Sequence, residues 1–123
     1  MATILIVDDD KDVVDLVHFM ADREGYRIVT AADGKEGLER AGQEKPDLVI
    51  MDIMMPEMDG HTATVELSRQ EATRGIPVII LTAKGNMRSA FELTPNVIAY
   101  IEKPFDPKHL QALIRNTLSH KDN

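Results

Sequence analysis

The residues able to do chemistry sit at the ends of apolar runs. Asp8, Asp9 and Asp10 follow TILIV, and Asp52 stands alone among methionines after DLVIM. Thr82 and Ala83 follow PVIIL, and Lys103-Pro104 comes shortly after VIAYI. A carboxylate stranded at the end of a buried segment is costly unless something pairs with it. Brought together, these groups form a set of acids, one hydroxyl and one ammonium. Crowded carboxylates repel unless a cation intervenes, and a hard divalent ion such as Mg²⁺ suits oxygen donors. A carboxylate can also attack phosphorus to give an aspartyl phosphate. Such a transfer needs in-line positioning and charge neutralisation at the phosphoryl oxygens, which Mg²⁺, Lys103 and the Thr82 hydroxyl would supply.

The elements that must position this set read as five repeats of strand and helix. The apolar runs 3–7, 27–31, 47–51, 77–81 and 97–101 are rich in Val and Ile with little alternation, as in strands covered on both faces of a parallel sheet. Between them, residues 11–24 carry the stripe Val13, Val14, Leu16, Val17 and Met20. Helical character is also expected over 34–44, over 60–72, over 86–93 ahead of Pro95, and over 107–119. Asp10 is placed to cap the first helix, and Asp106 with Pro107 opens the last. Strands alternating with helices imply right-handed crossovers and a three-layer α/β domain. Ligands of such sheets bind beyond the carboxyl ends of the strands, where the reactive residues lie. One domain over 1–123 is expected, with 118–123 a loose tail.

Composition narrows the function. The net charge of −7 argues against a nucleic-acid surface, which needs a basic patch. The absence of cysteine excludes disulfides and thiolate metal sites. The short apolar start followed by acids reads as neither a signal peptide nor a membrane span, so a cytoplasmic protein with no membrane partner is expected.

In the order and spacing of ILIVDDD, PDLVIMDIMMPEMDG, PVIILTAK and AYIEKPF, nearly end to end, the chain resembles a response-regulator receiver domain of two-component signalling. The resemblance implies a flavodoxin-like (βα)5 sandwich with strand order 2-1-3-4-5. It implies a phosphoacceptor at Asp52, and Mg²⁺ or another divalent cation such as Mn²⁺ held by Asp8, Asp9, Asp52 and the Met54 carbonyl. It also implies phosphate-contacting or switch residues at Thr82, Ala83, Lys103 and Tyr100, and a cis bond between Lys103 and Pro104. The implied partners are a sensor histidine kinase or histidine phosphotransfer protein and a downstream protein target, with the chain a monomer or weak dimer. It would not be an enzyme beyond its own phosphorylation and dephosphorylation. The segment LTPNVIA, residues 93–99, departs from the small Gly-containing turn usual in the family, which bears on the output face.

Each residue also has a plainer reading. The acid trio can cap a helix, Asp52 can belong to a turn, Thr82 can be a satisfied strand-end hydroxyl and Lys103 a solvated charge; the set favours the site. A calcium loop from Asp8 fails, because Val13 and Phe19 stand where Gly and Glu are required. Methionines 51, 54, 55 and 58 suit core filling and loop packing better than a thioether copper site. Two rivals remain: a phosphorylation-independent receiver-like scaffold, and a small aspartyl-phosphate phosphatase. By resemblance, position 54 tunes how long the phosphoryl group survives, and a long apolar side chain shields it from water. Met54→Asn is therefore expected to speed dephosphorylation several-fold, followed as decay of the phosphorylated chain by intact mass.

Overall fold

The computed structural model describes residues 2–52, 60–83 and 95–121. The β-branched runs form a parallel sheet whose elements are β1 (Thr3–Val7), β2 (Arg27–Ala31), β3 (Leu48–Asp52), β4 (Val78–Ala83) and β5 (Val97–Lys103). The described helices are α1 (Lys11–Arg23), α2 (Gly34–Glu44), α3 (Gly60–Arg69) and α4 (Pro107–Lys121). Strand order is β2-β1-β3-β4-β5, as the resemblance implies. None of the helices among the described residues is long and apolar enough to cross a membrane.

Alternation along each strand divides the core into two layers. On one face Ile4, Ile6, Leu48, Ile50, Ile79, Leu81 and Ile101 pack with Val17 and Met20 of α1 and Leu110, Ile114 and Leu118 of α4. On the other, Leu5, Val7, Val29, Val49, Met51, Val78 and Ile80 pack with Ala41 of α2 and Ala63 and Leu67 of α3. All five residues of β3 are buried, so Asp52 ends a strand with no solvent-facing side.

The helix ends follow from local chemistry. The Asp10 carboxylate accepts from Asp12 N at 2.9 Å to start α1. Asp33 accepts from Glu36 N at 2.9 Å, while Glu36 reaches back to accept from Ala32 N at 2.7 Å. This reciprocal arrangement satisfies two donors at the start of α2. Asp106 accepts from Lys108 N at 2.9 Å, as expected for the cap of the last helix. Gly25, at φ 80°, turns the chain out of α1 into β2.

Several boundaries differ from the sequence expectation. β3, β4 and β5 run on to Asp52, Ala83 and Lys103, because the ladder pairs Asp52 with Leu81, Thr82 with Glu102 and Ala83 with Lys103. Polar residues carry no apolar signature, so the sequence pattern stops short of them. Conversely, α3 ends at Arg69 rather than at 72. There the buried Thr73 hydroxyl donates to Leu67 O at 2.8 Å and folds the chain back. The tail expected from 118 onward is corrected: α4 continues to Lys121, and Leu118 is buried in the core. The helix expected over 86–93 lies outside the described residues.

The unusual segment before Tyr100 is partly seen. Asn96 is buried, accepts from Val78 N at 2.8 Å and donates from Nδ2 to Thr64 O at 3.3 Å. It thus ties the start of β5 to both β4 and α3. The register shifts by one residue between Val78 and Ile79, and Ile98 is left 50% exposed at the edge of the sheet. Such a bulge blunts an edge strand against pairing with another chain.

α2 lies close to the sheet at Gly37, where an added Cβ would sit 2.9 Å from Val7 Cγ2; at Gly42 nothing lies within 4 Å. Gly37→Val is expected to destabilise by about 1–3 kcal/mol through overpacking. Gly42→Ala is expected to stabilise by about 0.5–1 kcal/mol through helix propensity. Urea unfolding of the two variants beside the parent checks both signs.

Candidate functional site

The carboxyl ends of β1, β3 and β5 bring three of the sequence-predicted groups into contact. Asp8 follows β1, and its amide donates to Ala31 O of β2 at 3.1 Å, which prolongs the ladder by one residue. Its side chain is fully buried and uses both oxygens. Oδ1 accepts from Asp10 N at 2.8 Å, and Oδ2 accepts from Lys103 Nζ at 3.0 Å. Lys103, the last residue of β5, also lies 3.6 Å from Asp52 Oδ2. Its ammonium therefore bridges the two buried carboxylates.

Burial works to lower the Lys103 pKa. The hydrogen bond to Asp8 and the charges of Asp8, Asp52 and Asp10 outweigh it, and hold the pKa above the ordinary 10.5. The group is a cation throughout the physiological range.

Asp9 is exposed and completes an acidic cluster. One carboxylate oxygen from each of Asp8, Asp9 and Asp52 lies within 4.8 Å of the others. Oxygens that share one Mg²⁺ are roughly 3–4 Å apart, so this set needs little closure to hold a hard cation. The donors are all oxygen and all anionic, which suits Mg²⁺ or Mn²⁺ and not a thiolate-seeking metal. The residues therefore fit such an ion.

Residues 4–115 match the response regulator receiver domain family. The chain belongs to that family. Among curated proteins, it is 35% identical over 120 residues to the alkaline phosphatase synthesis transcriptional regulatory protein PhoP of Bacillus subtilis, covering 97% of this chain and 49% of the relative. It is 38% identical over 123 residues to the DNA-binding dual master transcriptional regulator RpaA of Synechocystis, covering 99% of this chain and 51% of the relative. The chain thus spans about half the length of these curated relatives. Among solved structures, a CheY-like response regulator receiver domain protein from Methanospirillum hungatei superposes with a TM-score of 0.88 at 31% identity. That match covers 99% of this chain and 97% of the other. This is a receiver domain of two-component signalling, a signalling module rather than an enzyme in the usual sense; neither the scaffold nor the phosphatase reading is favoured.

Within this receiver domain the remaining sequence-predicted residues are placed as follows. Thr82 and Ala83 are the last two residues of β4, one and two positions past the Leu81 that pairs with Asp52; their side chains are outside the described set. Tyr100 is half-buried on β5 and packs against the core layer of α2 and α3. Met54 lies outside the described residues. The Lys103–Pro104 peptide is cis, as expected. Two features escaped the sequence reading. Lys103 is nearer to Asp8 than to Asp52, which residue types alone could not say. Asp8 also anchors the start of α1 through the Asp10 amide, for which the only sequence signal was the run of three acids.

Breaking a buried ion pair costs about 3–5 kcal/mol, and Lys103 keeps 24% of its side-chain surface exposed, so Lys103→Met is expected to cost about 2–4 kcal/mol. The double variant Asp8→Asn/Lys103→Met should recover part of this in urea unfolding. The folded-state pKa is raised, so the stabilisation is fully present below pH 10.5 and is lost as pH rises through the folded-state value. From neutral pH upward, the gap between parent and Lys103→Met should therefore hold until that pH and narrow above it.

Proposed function

We propose that Asp52 accepts a phosphoryl group from a sensor histidine kinase or a histidine phosphotransfer protein. One observation carries the reading. Asp52 is buried at the end of β3, yet it faces two other carboxylate oxygens within 4.8 Å and an ammonium at 3.6 Å. A lone ion pair would account for the ammonium but not for the two further carboxylates, whereas a nucleophile that must meet a metal ion and a polyanionic group uses both.

In the step itself, one Asp52 carboxylate oxygen forms a bond to phosphorus as the bond from phosphorus to the donor's imidazole nitrogen breaks. The electron pair leaves with the imidazole, whose other ring nitrogen carries a proton, so the donor histidine departs as a neutral ring. Lys103 offsets negative charge on the phosphoryl oxygens from the β5 side, and the Thr82 hydroxyl would contact them from β4. The fixed position of Asp8 holds Lys103 at the site before the donor arrives. Mg²⁺ would be held by Asp8, Asp9, Asp52 and the Met54 carbonyl, and when bound it neutralises charge on the transferring group. Once formed, the acyl phosphate adds charge and strong acceptor oxygens at the end of β3. Thr82 and Ala83 would follow them, and Tyr100 on the neighbouring strand would repack inward and alter the face offered to a downstream protein. A cytoplasmic chain, monomeric or weakly dimeric, belongs to the same reading and rests on the family.

The test is intact mass after incubation with acetyl phosphate, with and without Mg²⁺, on the parent chain and Asp52→Asn. A gain of one phosphoryl group that requires Mg²⁺ and is absent from Asp52→Asn is expected. No gain under any condition would overturn the proposal.

A further inference from the structure

Alternation fails once along β5. Val97 and Tyr100 both pack against the α2/α3 layer, although residues an odd number of positions apart in a regular strand face opposite ways. Ala99 and Ile101 pack with the α1/α4 layer. The ladder accounts for this. Val97 pairs with Val78 and Ala99 with Ile79, so Ile98 has no position opposite it on β4 and stands 50% exposed. The strand holds one residue more than the ladder uses.

That residue lies between two anchors. Before it, buried Asn96 accepts from Val78 N at 2.8 Å and donates from Nδ2 to Thr64 O at 3.3 Å. After it, Lys103 pairs with Asp8 at 3.0 Å and lies 3.6 Å from Asp52. The extra residue decides the face on which Lys103 stands. Ile4 and Ile6 lead along the α1/α4 face to Asp8, and Leu48 and Ile50 lead along it to Asp52. Lys103 follows Ala99 and Ile101 on that same face. With Asn96 in place and no bulge, every residue after Val97 would change face. Glu102 would then meet the two carboxylates, and Tyr100 would leave the α2/α3 layer. Charge at the site therefore holds the bulge from one end, and Asn96 holds it from the other.

An extra residue between two fixed points can take up movement that a regular ladder would pass on. We infer that Ile98 is the slack of β5: when Lys103 is drawn further toward Asp52, segment 99–103 shifts along β4 as a unit and carries Tyr100 with it, while Asn96 keeps its place. The shift is bounded by the one spare residue, roughly 3.3 Å of strand. As a response to phosphorylation this rests on the reading of Asp52 as phosphoacceptor; the mechanical part does not.

The test is two-dimensional NMR of the isotope-labelled chain, read at the backbone amides of β5, the Tyr100 ring and the Asn96 side-chain amide. Asp8→Asn keeps an oxygen to accept from Asp10 N but gives up the ion pair, which draws Lys103 toward Asp52 with no phosphodonor present. Shifts at 98–103 and at the Tyr100 ring are expected, with the Asn96 side chain unmoved. The same pattern is expected in the parent after acetyl phosphate and Mg²⁺ are added. Deletion of Ile98 leaves a regular ladder with every other residue on its present face. That chain should fold, keep the Lys103 side-chain shifts of the parent and take up a phosphoryl group as the parent does. With the slack gone, Asp8→Asn in the deletion chain should move the Asn96 side-chain amide as well. Asn96 moving along with Tyr100 while Ile98 is present, or staying still when Ile98 is absent, would overturn the inference. A deletion chain that does not fold would overturn it too, since the faces would not be as assigned. A parent that gains no phosphoryl group would overturn only the reading of Asp52, because the Asp8→Asn arm needs no phosphodonor.

Discussion

Two buried carboxylates, Asp8 and Asp52, share one ammonium, and the rest of the site is arranged around that fact. The sheet forces Asp52 to the end of a strand buried on both faces, and the ladder from Asp8 to Ala31 holds Asp8 beside it. Lys103 reaches both because β5 extends to it in register with Ala83 of β4. With Asp9 included, three carboxylates and one ammonium leave two negative charges, which a divalent cation would cancel. The cluster is thus incomplete as a structural ion pair but balanced as a cation site. Lys103 keeps it tolerable in the meantime, and its raised pKa shows that the carboxylates outweigh its own burial.

The closer contact of Lys103 with Asp8 has a mechanical meaning. Asp8 also accepts from the Asp10 amide, so one side chain joins the end of β5 to the start of α1. A charge arriving at Asp52 would compete with Asp8 for Lys103, and the helix start would be party to that competition. The response is bounded by how differently the two arrangements bind the newcomer.

The sheet and its four described helices were legible because apolar side chains announce a buried face. The runs at 3–7 and 27–31 coincide with β1 and β2, and 34–44 coincides with α2. What the pattern could not see was the continuation of β3, β4 and β5 through Asp52, Ala83 and Lys103. Those residues are held by backbone pairing, which polar side chains neither advertise nor prevent. The same residues carry the proposed chemistry, so sequence reading blurs the strand ends that matter most to it. The site was legible as a set, since Asp8, Asp52 and Lys103 each have an ordinary explanation alone and lack one together. Its internal pairing was not, because a 3.0 Å contact across 95 residues of sequence depends on register.

The departure at Pro95 and Asn96 shows how an altered turn can be kept compatible with the fold. A glycine there would contribute backbone freedom and no side chain. Asn96 keeps the backbone carbonyl that accepts from Val78 N and adds a side-chain amide that donates to Thr64 O, fixing the start of β5 against β4 and α3. Among the described residues its buried Oδ1 has no hydrogen-bond partner, so the anchoring carries a desolvation cost. The bulge follows at once, with Ile98 thrown outward before the ladder resumes at Ala99. β5 is therefore pinned at its start and carries Lys103 at its end, with Tyr100 between them. A strand held at one end transmits a displacement of the other to the residues in the middle. In this chain the residue in the middle is Tyr100, half-buried against the α2/α3 layer. On this argument Asn96 is compatible with the proposed link from Asp52 to Tyr100, because it fixes the end of the strand farthest from Lys103.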